Sequence, residues 1–201
     1  MEQQLQSLVE AVAGRIFVPL EASGRHVHVT KEQALALFGH GLTPKRSLSQ
    51  PGQYLAEERV SIVGPKGRLE HVAVLGPERR EAQVEISVTD GRILGIAPPV
   101  RLSGDVSGSP GIKLEGPEGS IAIPAGVIAA RRHIHMTPED AARMGVADGQ
   151  TVKLQTFTER PVIFGDVSVR VSPRFATFAH LDYDEANACG MQPGDLGRIL
   201  S

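Results

Sequence analysis

The sequence predicts a mainly β fold of two small β-barrel domains related by an internal repeat, with short capping helices and an N-terminal helix. Three observations carry this. Arg25-His26-Val27-His28-Val29-Thr30-Lys31-Glu32 returns as Arg132-His133-Ile134-His135-Met136-Thr137-Pro138-Glu139, and a repeat so placed in a chain of 201 residues favours two domains. Short Val/Ile-rich runs alternate with turn signals such as Gly64-Pro65, Gly76-Pro77, Gly116-Pro117 and Asp148-Gly149. The 22 Gly and 14 Pro suit tight turns, and closure into barrels removes the unpaired edges that many short strands would leave.

Residues 2–16 place Leu5, Leu8, Val9, Val12 and Ile16 on one helical stripe, so residues 1–16 read as an amphipathic helix. It packs on its own domain or docks on another protein, and spacing does not separate the two. A strand over Ile16 to Leu20 follows. Each His-x-His then runs into a helix start: Thr30 with Gln33, and Thr137 with Asp140, sit at N-cap and N3 spacing, with Pro138 at the first helical position. Further strands are predicted over Val60 to Val63, Glu70 to Leu75, Gln83 to Val88, Ile93 to Ile96, Ile112 to Leu114, Ser120 to Ile123, Val152 to Gln155, Val162 to Phe164 and Val167 to Val171.

A net charge of -2 and a pI near 6.4 leave no electrostatic footprint for nucleic acid or an anionic membrane. No run approaches the roughly 20 apolar residues of a membrane span, and no secretory signal pattern opens the chain. A cytoplasmic protein is expected on these grounds. The single Cys189 has no partner for an intramolecular disulfide and reads as a small semi-buried residue.

Four of the seven histidines lie in the two repeat copies. On a strand, residues i and i+2 share a face, so each His-x-His aims two imidazoles at one point while Val27 or Ile134 faces a core. One such pair alone is more often hydrogen-bonded than metal-bound, but two copies with matching flanks favour metal. A catalytic metal usually takes three protein ligands. Aligning His71 with Asp166 superposes Arg79 on Arg174 and Glu85 on His180, and alternation turns Glu85 away from Val84 and Ile86. The candidate ligand sets are therefore His26, His28, Glu85 and His133, His135, His180. Such donors suit Zn²⁺ or another late first-row divalent ion better than Mg²⁺ or Ca²⁺. The two sets differ by one unit of charge, as expected of centres with different roles. His40 and His71 have no such partners in the pattern. Arg79, just after Gly76-Pro77, reads either as a surface arginine or as a guanidinium for phosphate or a developing oxyanion. The glycine-rich stretch Ser103 to Gly111 has no phosphate-loop pattern and reads as a turn or a substrate-contacting loop.

RHVHVT, LSQPGQ (48–53), VGPKG (63–67), VLGPERREAQVEIS (74–87), PVRLSGD (99–105), RHIHMTPEDA (132–141) and HLDYDEANA (180–188) together resemble the phosphate propanoyltransferase family, the phosphotransacylase of bacterial microcompartments. The resemblance runs from about Val18 to near the C-terminus. It implies two β-barrels, two zinc ions per chain, and reversible transfer of a short acyl group, propanoyl or acetyl, between coenzyme A and inorganic phosphate. It implies the same six metal ligands, a phosphate-positioning role for Arg79, and coenzyme A contacts at Ser23, Arg46, Leu75, His180 and Asn187. It also implies that the first strand crosses over, giving one barrel from 17–24 plus 132–201 and another from 25–131. Residues 2–16 are then a candidate docking peptide for microcompartment shell or core enzymes, with packing on their own domain as the open alternative. Action on small molecules as a homo-oligomer is likewise implied only by the resemblance. Two positions depart from the family: Gly24 stands where Asn is usual, and Ala73 where a basic residue is expected.

In the direction of acyl phosphate, a metal would act as Lewis acid toward the thioester while Arg79 holds phosphate for attack. Two other readings stay open on the residues alone. The same ligands suit a metal-dependent acyl-CoA hydrolase that activates water, or a non-catalytic, metal-stabilised microcompartment module.

Overall fold

The computed structural model describes residues 12, 14 and 16–200. Apart from Val12, Gly14 and Ile16, the predicted N-terminal helix lies outside the described residues. The strands in chain order are β1 (Phe17–Ser23), β2 (His26–His28), β3 (Pro44–Ser47), β4 (Tyr54–Val63), β5 (Arg68–Gly76), β6 (Gln83–Glu85), β7 (Val100–Arg101) and β8 (Ile112–Glu115). Then follow β9 (Ser120–Ile123), β10 (Val127–Ala130), β11 (His133–Met136), β12 (Thr151–Phe157), β13 (Ile163–Val171), β14 (Phe178–Asp182) and β15 (Leu196–Leu200). The helices are α1 (Lys31–Phe38), α2 (Val88–Leu94), α3 (Pro138–Met144) and α4 (Tyr183–Cys189). Among the described residues, no helix is long and apolar enough to cross a membrane.

The described residues form two compact units, one from those within Met1–Ala22, Arg132–Leu181 and Glu185–Ser201, the other from Ser23–Arg131 with Asp182–Asp184. The first is a closed barrel in the order β1-β14-β11-β13-β12-β15, with β15 returning antiparallel to β1. Alternation builds it: along β12, Val152, Leu154 and Thr156 are buried while Thr151, Lys153 and Phe157 are exposed. Its core gathers Val18, Leu20, Ile134, Met136, Leu154, Val167, Val169 and Leu181. Each such apolar side chain contributes about 1.5–3 kcal/mol on burial.

The second unit is a half-barrel whose sheet runs β7-β10-β6-β2-β5-β4-β8-β9, with β3 beside β4. Val27, Val29, Leu37, Ile62, Val74, Val84, Leu94 and Leu114 form its core. Here the strand predicted over Ile93 to Ile96 is corrected: Ile93 and Leu94 end helix α2 and Gly95 caps it. A reciprocal capping box between Ser87 and Asp90 starts this helix, and Gly95 at φ 78 stops it, so capping chemistry overrides the β-type run. The strand predicted over Gln83 to Val88 ends at Glu85 for the same reason, and Val162 to Phe164 and Val167 to Val171 fall in one strand, β13, or at its edge.

The repeat is carried by backbone geometry as well as sequence. Strand β2 lies parallel to β5 and antiparallel to β6, pairing His26 with Ala73 and with Glu85. In the barrel, β11 lies parallel to β13 and antiparallel to β14, pairing His133 with Ser168 and with His180. His71 and Asp166, equivalent by the alignment, both adopt a left-handed backbone, at φ 54 and 55. Gly95 and Gly190 likewise follow the two equivalent helices with positive φ, where a Cβ would be strained. Thr30 with Gln33 forms a full capping box on α1, and the Thr137 side chain accepts from the Asp140 N–H on α3, whose first residue is Pro138.

Candidate metal centres

The half-barrel unit brings His26, His28 and Glu85 together, all buried, with their ligating atoms within 4.8 Å of one another. Strand pairing does this: His26 and His28 share a face of β2, and Glu85 lies directly across from His26 on β6. The rings are oriented from behind. His26 Nδ1 donates to the Gly24 carbonyl oxygen at 2.8 Å, and His28 Nδ1 to that of Leu75 at 3.1 Å. A carbonyl only accepts, so each Nδ1 carries a proton and each Nε2 faces the cluster, its lone pair available whenever the imidazole is neutral. His26 Nε2 lies 3.7 Å from Glu85 Oε2.

Burial opposes charge on all three groups, and the balance differs for each. For Glu85 burial is outweighed by the adjacent His26, through charge and a hydrogen bond, so its carboxyl is held far below the usual carboxylate range. For His26 burial is outweighed by the Glu85 carboxylate, and its pKa is raised. For His28 burial, then the neighbouring His26 and Arg79, push its pKa well down. Arg79 therefore places positive charge beside this centre; its backbone N–H is anchored on the Val29 carbonyl at 2.9 Å. Arg80 is exposed.

The barrel unit brings His133, His135 and His180 together in the same register, again with ligating atoms within 4.8 Å. The His133 and His180 rings stack at 5.0 Å, and the His135 ring lies 4.5 Å from His133 and 5.0 Å from His180. His180 Nδ1 lies 3.3 Å from Glu21 Oε2 on β1, an acidic partner behind the ring. Imidazole donors with at most one carboxylate, each ring oriented through its other nitrogen where a partner is seen, form a donor set that fits a late first-row divalent ion.

The coenzyme A contacts expected from the resemblance lie in both units. Ser23, Arg46 and Leu75 belong to the half-barrel unit, His180 and Asn187 to the barrel unit. Arg46, on the exposed strand β3, lines a concavity of about 500 Å³ with Lys45, Leu48, Gln53 and Tyr54. Leu75 presents its carbonyl to His28, and Asn187 is exposed on α4.

Sequence reasoning missed Gln83. It is buried, donates to Glu85 Oε1 and to Ser103 Oγ at 2.9 Å, and accepts from the Gly104 N–H at 2.8 Å. The glycine-rich stretch is thereby pinned to a candidate ligand. Gln83 and Glu85 stand two apart on one strand, so the alternation that paired the histidines would have found it.

With this geometry in view, the chain can be compared with known proteins. A family model described as phosphate propanoyltransferase matches residues 19–192. A protein named phosphate propanoyltransferase from Listeria monocytogenes is 52% identical over 202 residues, covering 98% of this chain and 95% of its own. One of the same name from Thermotoga maritima is 54% identical over 181 residues, covering 89% and 86%. Another, from Salmonella typhimurium, is 46% identical over 205 residues, covering 99% and 98%.

Proposed function

The chain belongs to the phosphate propanoyltransferase family and is an acyltransferase, and we propose that it exchanges a propanoyl or acetyl group between coenzyme A and inorganic phosphate with two zinc ions. One zinc is held by His26, His28 and Glu85, the other by His133, His135 and His180. The observation that carries this reading is the paired register: two three-residue donor clusters built by equivalent strands, with Arg79 beside one of them.

Zinc, when bound, supplies Lewis acidity that favours charge on a thioester carbonyl oxygen or on a leaving thiolate. The Gly24 and Leu75 carbonyls keep the Nε2 lone pairs of His26 and His28 facing inward, so no rotation is needed on binding. Arg79 holds phosphate by charge-assisted hydrogen bonds from a planar guanidinium that stays protonated throughout. A phosphate oxygen then attacks the thioester carbonyl carbon; the C–O bond forms, the C–S bond breaks, and the electron pair leaves on the coenzyme A sulfur. Holding two substrates together contributes because the reaction is otherwise bimolecular. Ser23, Arg46, Leu75, His180 and Asn187 contact coenzyme A. One methylene distinguishes acetyl from propanoyl and is worth only about 1–3 kcal/mol in an apolar pocket. The proposal extends to a place in a bacterial microcompartment with residues 2–16 as docking peptide, which a fluorescent fusion of that peptide tests.

The test is metal content measured together with thiol release from acetyl-, propanoyl- and butanoyl-CoA, with and without phosphate. Two zinc per chain and phosphate-dependent release are expected. Release that continues at the same rate without phosphate would make the protein a hydrolase. Zinc binding with no release from any thioester would leave a structural module.

A further inference from the structure

The two ligand strands are each tied down by an arginine that no ligand assignment uses. Arg25, immediately before His26, grips Asp90 with two nitrogens, Nε at 3.1 Å from Oδ2 and Nη2 at 2.9 Å from Oδ1. Arg132, immediately before His133, donates through Nη1 to Glu185 at 2.6 Å and through Nε to the Gly165 carbonyl at 2.6 Å. Asp90 and Glu185 occupy the same place, the third residue of the helix that follows the strand bearing the third ligand, α2 after Glu85 and α4 after His180. Each arginine also lies over an aromatic ring at 5.8 Å, Arg25 over Tyr183 and Arg132 over Phe164.

The details of the two copies differ while the outcome agrees. The acids differ in length, and the rings come from non-equivalent positions, one on a helix and one on a strand. The ligand-bearing strands themselves are short: β2 and β6 have three residues each, and β11 has four. Few ladder hydrogen bonds fix their register. We propose that Arg25–Asp90 and Arg132–Glu185 are positioning pairs, each setting the spacing between the first histidine and the third ligand of its centre. The lever is direct. Arg25 adjoins His26, Asp90 shares a capping box with Ser87 two residues after Glu85, and His26 and Glu85 are opposite one another in the ladder. Asp90 is only 2% exposed in its side chain, so this carboxylate is paired out of water, where a fork-shaped partner matters most.

The inference rests on the metal reading above, and its test keeps the two apart. Zinc affinity of the full chain is measured by competition with a chromophoric chelator, with His26→Ala and His133→Ala identifying which dissociation event belongs to which centre. Melting of the metal-free protein is followed in parallel, and the cobalt(II) form provides a spectrum sensitive to ligand geometry. Arg25→Ala is expected to weaken the His26 centre roughly 10–100-fold and leave the His133 centre unchanged, with Arg132→Ala giving the complementary pattern. Arg25→Lys and Arg132→Lys keep the charge but not the fork. They fold if the alanine variants do not, and they weaken the same centre in the same direction by less. A shift in the cobalt band of the affected centre at saturating metal is expected, since a merely structural pair would not change ligand geometry. Wild-type zinc affinities and cobalt spectra in all four variants, whatever their melting temperatures, would overturn the inference alone. A wild-type chain that binds no zinc would remove the metal reading and the positioning role with it.

Discussion

His26 faces Glu85 across one rung of the β2–β6 ladder, its Nε2 3.7 Å from the carboxylate. The equivalent rung in the barrel pairs His133 with His180. Because each rung lies within one unit, loss of a histidine should be felt by one centre only. His26→Ala and His133→Ala are each expected to lower zinc from two equivalents to one by elemental analysis. Full occupancy after either change would contradict the ligand sets.

The proton balance of the His26 centre gives a second prediction. In the metal-free protein the pKa of His26 is raised above 6.5, that of His28 is well below it, and Glu85 is already ionised. At pH 6.5, zinc must displace the proton of His26 but none from His28. Binding to this centre should therefore release more than half a proton and at most one, and affinity should fall as pH drops through the raised His26 value. Titration calorimetry in buffers of different ionisation heat, on the His133→Ala variant, reads this number directly. Two protons released, or none, would show that the pair is not balanced this way.

The grouping of these six side chains into two clusters was legible in the sequence because period-2 alternation and a repeat are both local patterns. His26 with His28 needs only one strand, and Glu85 with His180 needs only the alignment. Closure was not local. The barrel closes through β1 and β15, and the other sheet remains a half-barrel, which depends on pairings between distant segments. Strands β3 and β7 escaped notice for another reason: Pro44–Ser47 is wholly exposed and Val100–Arg101 is two residues long, so neither carries a hydrophobic pattern. The Ile93 to Ile96 misreading came from weighing β-branched residues above the Ser87 and Gly95 caps. Arg25 with Asp90 was invisible because an ion pair across 65 positions leaves no mark in one sequence.

Arg79 is expected to act on phosphate rather than on metal. Its charge disfavours protonation of His26 and His28, yet it supplies no ligand atom. Arg79→Ala should keep both zinc ions and lose at least about 100-fold in phosphate-dependent thiol release, the scale of a lost electrostatic contact to a reacting group. Arg79→Lys should recover part of this, since charge is kept and the fork is lost. Near-normal turnover in Arg79→Ala would take the residue out of the mechanism.

Gly24 stands where the motif resemblance leads one to expect asparagine, and its neighbourhood disfavours a side chain there. A Cβ on Gly24 would lie 2.5 Å from the Tyr183 hydroxyl oxygen and 2.6 Å from Cζ. Tyr183 is 42% exposed, so its ring can swing outward, but only by leaving the guanidinium of Arg25 stacked on it. Gly24→Asn is therefore expected to cost about 1 kcal/mol of stability, at the low end for overpacking because the obstacle is a movable side chain. In a Tyr183→Ala background the same substitution should cost almost nothing, leaving a coupling of about 0.5–1 kcal/mol in a double-mutant cycle by urea denaturation. Additive effects of the two substitutions would mean that Gly24 is not kept small by Tyr183.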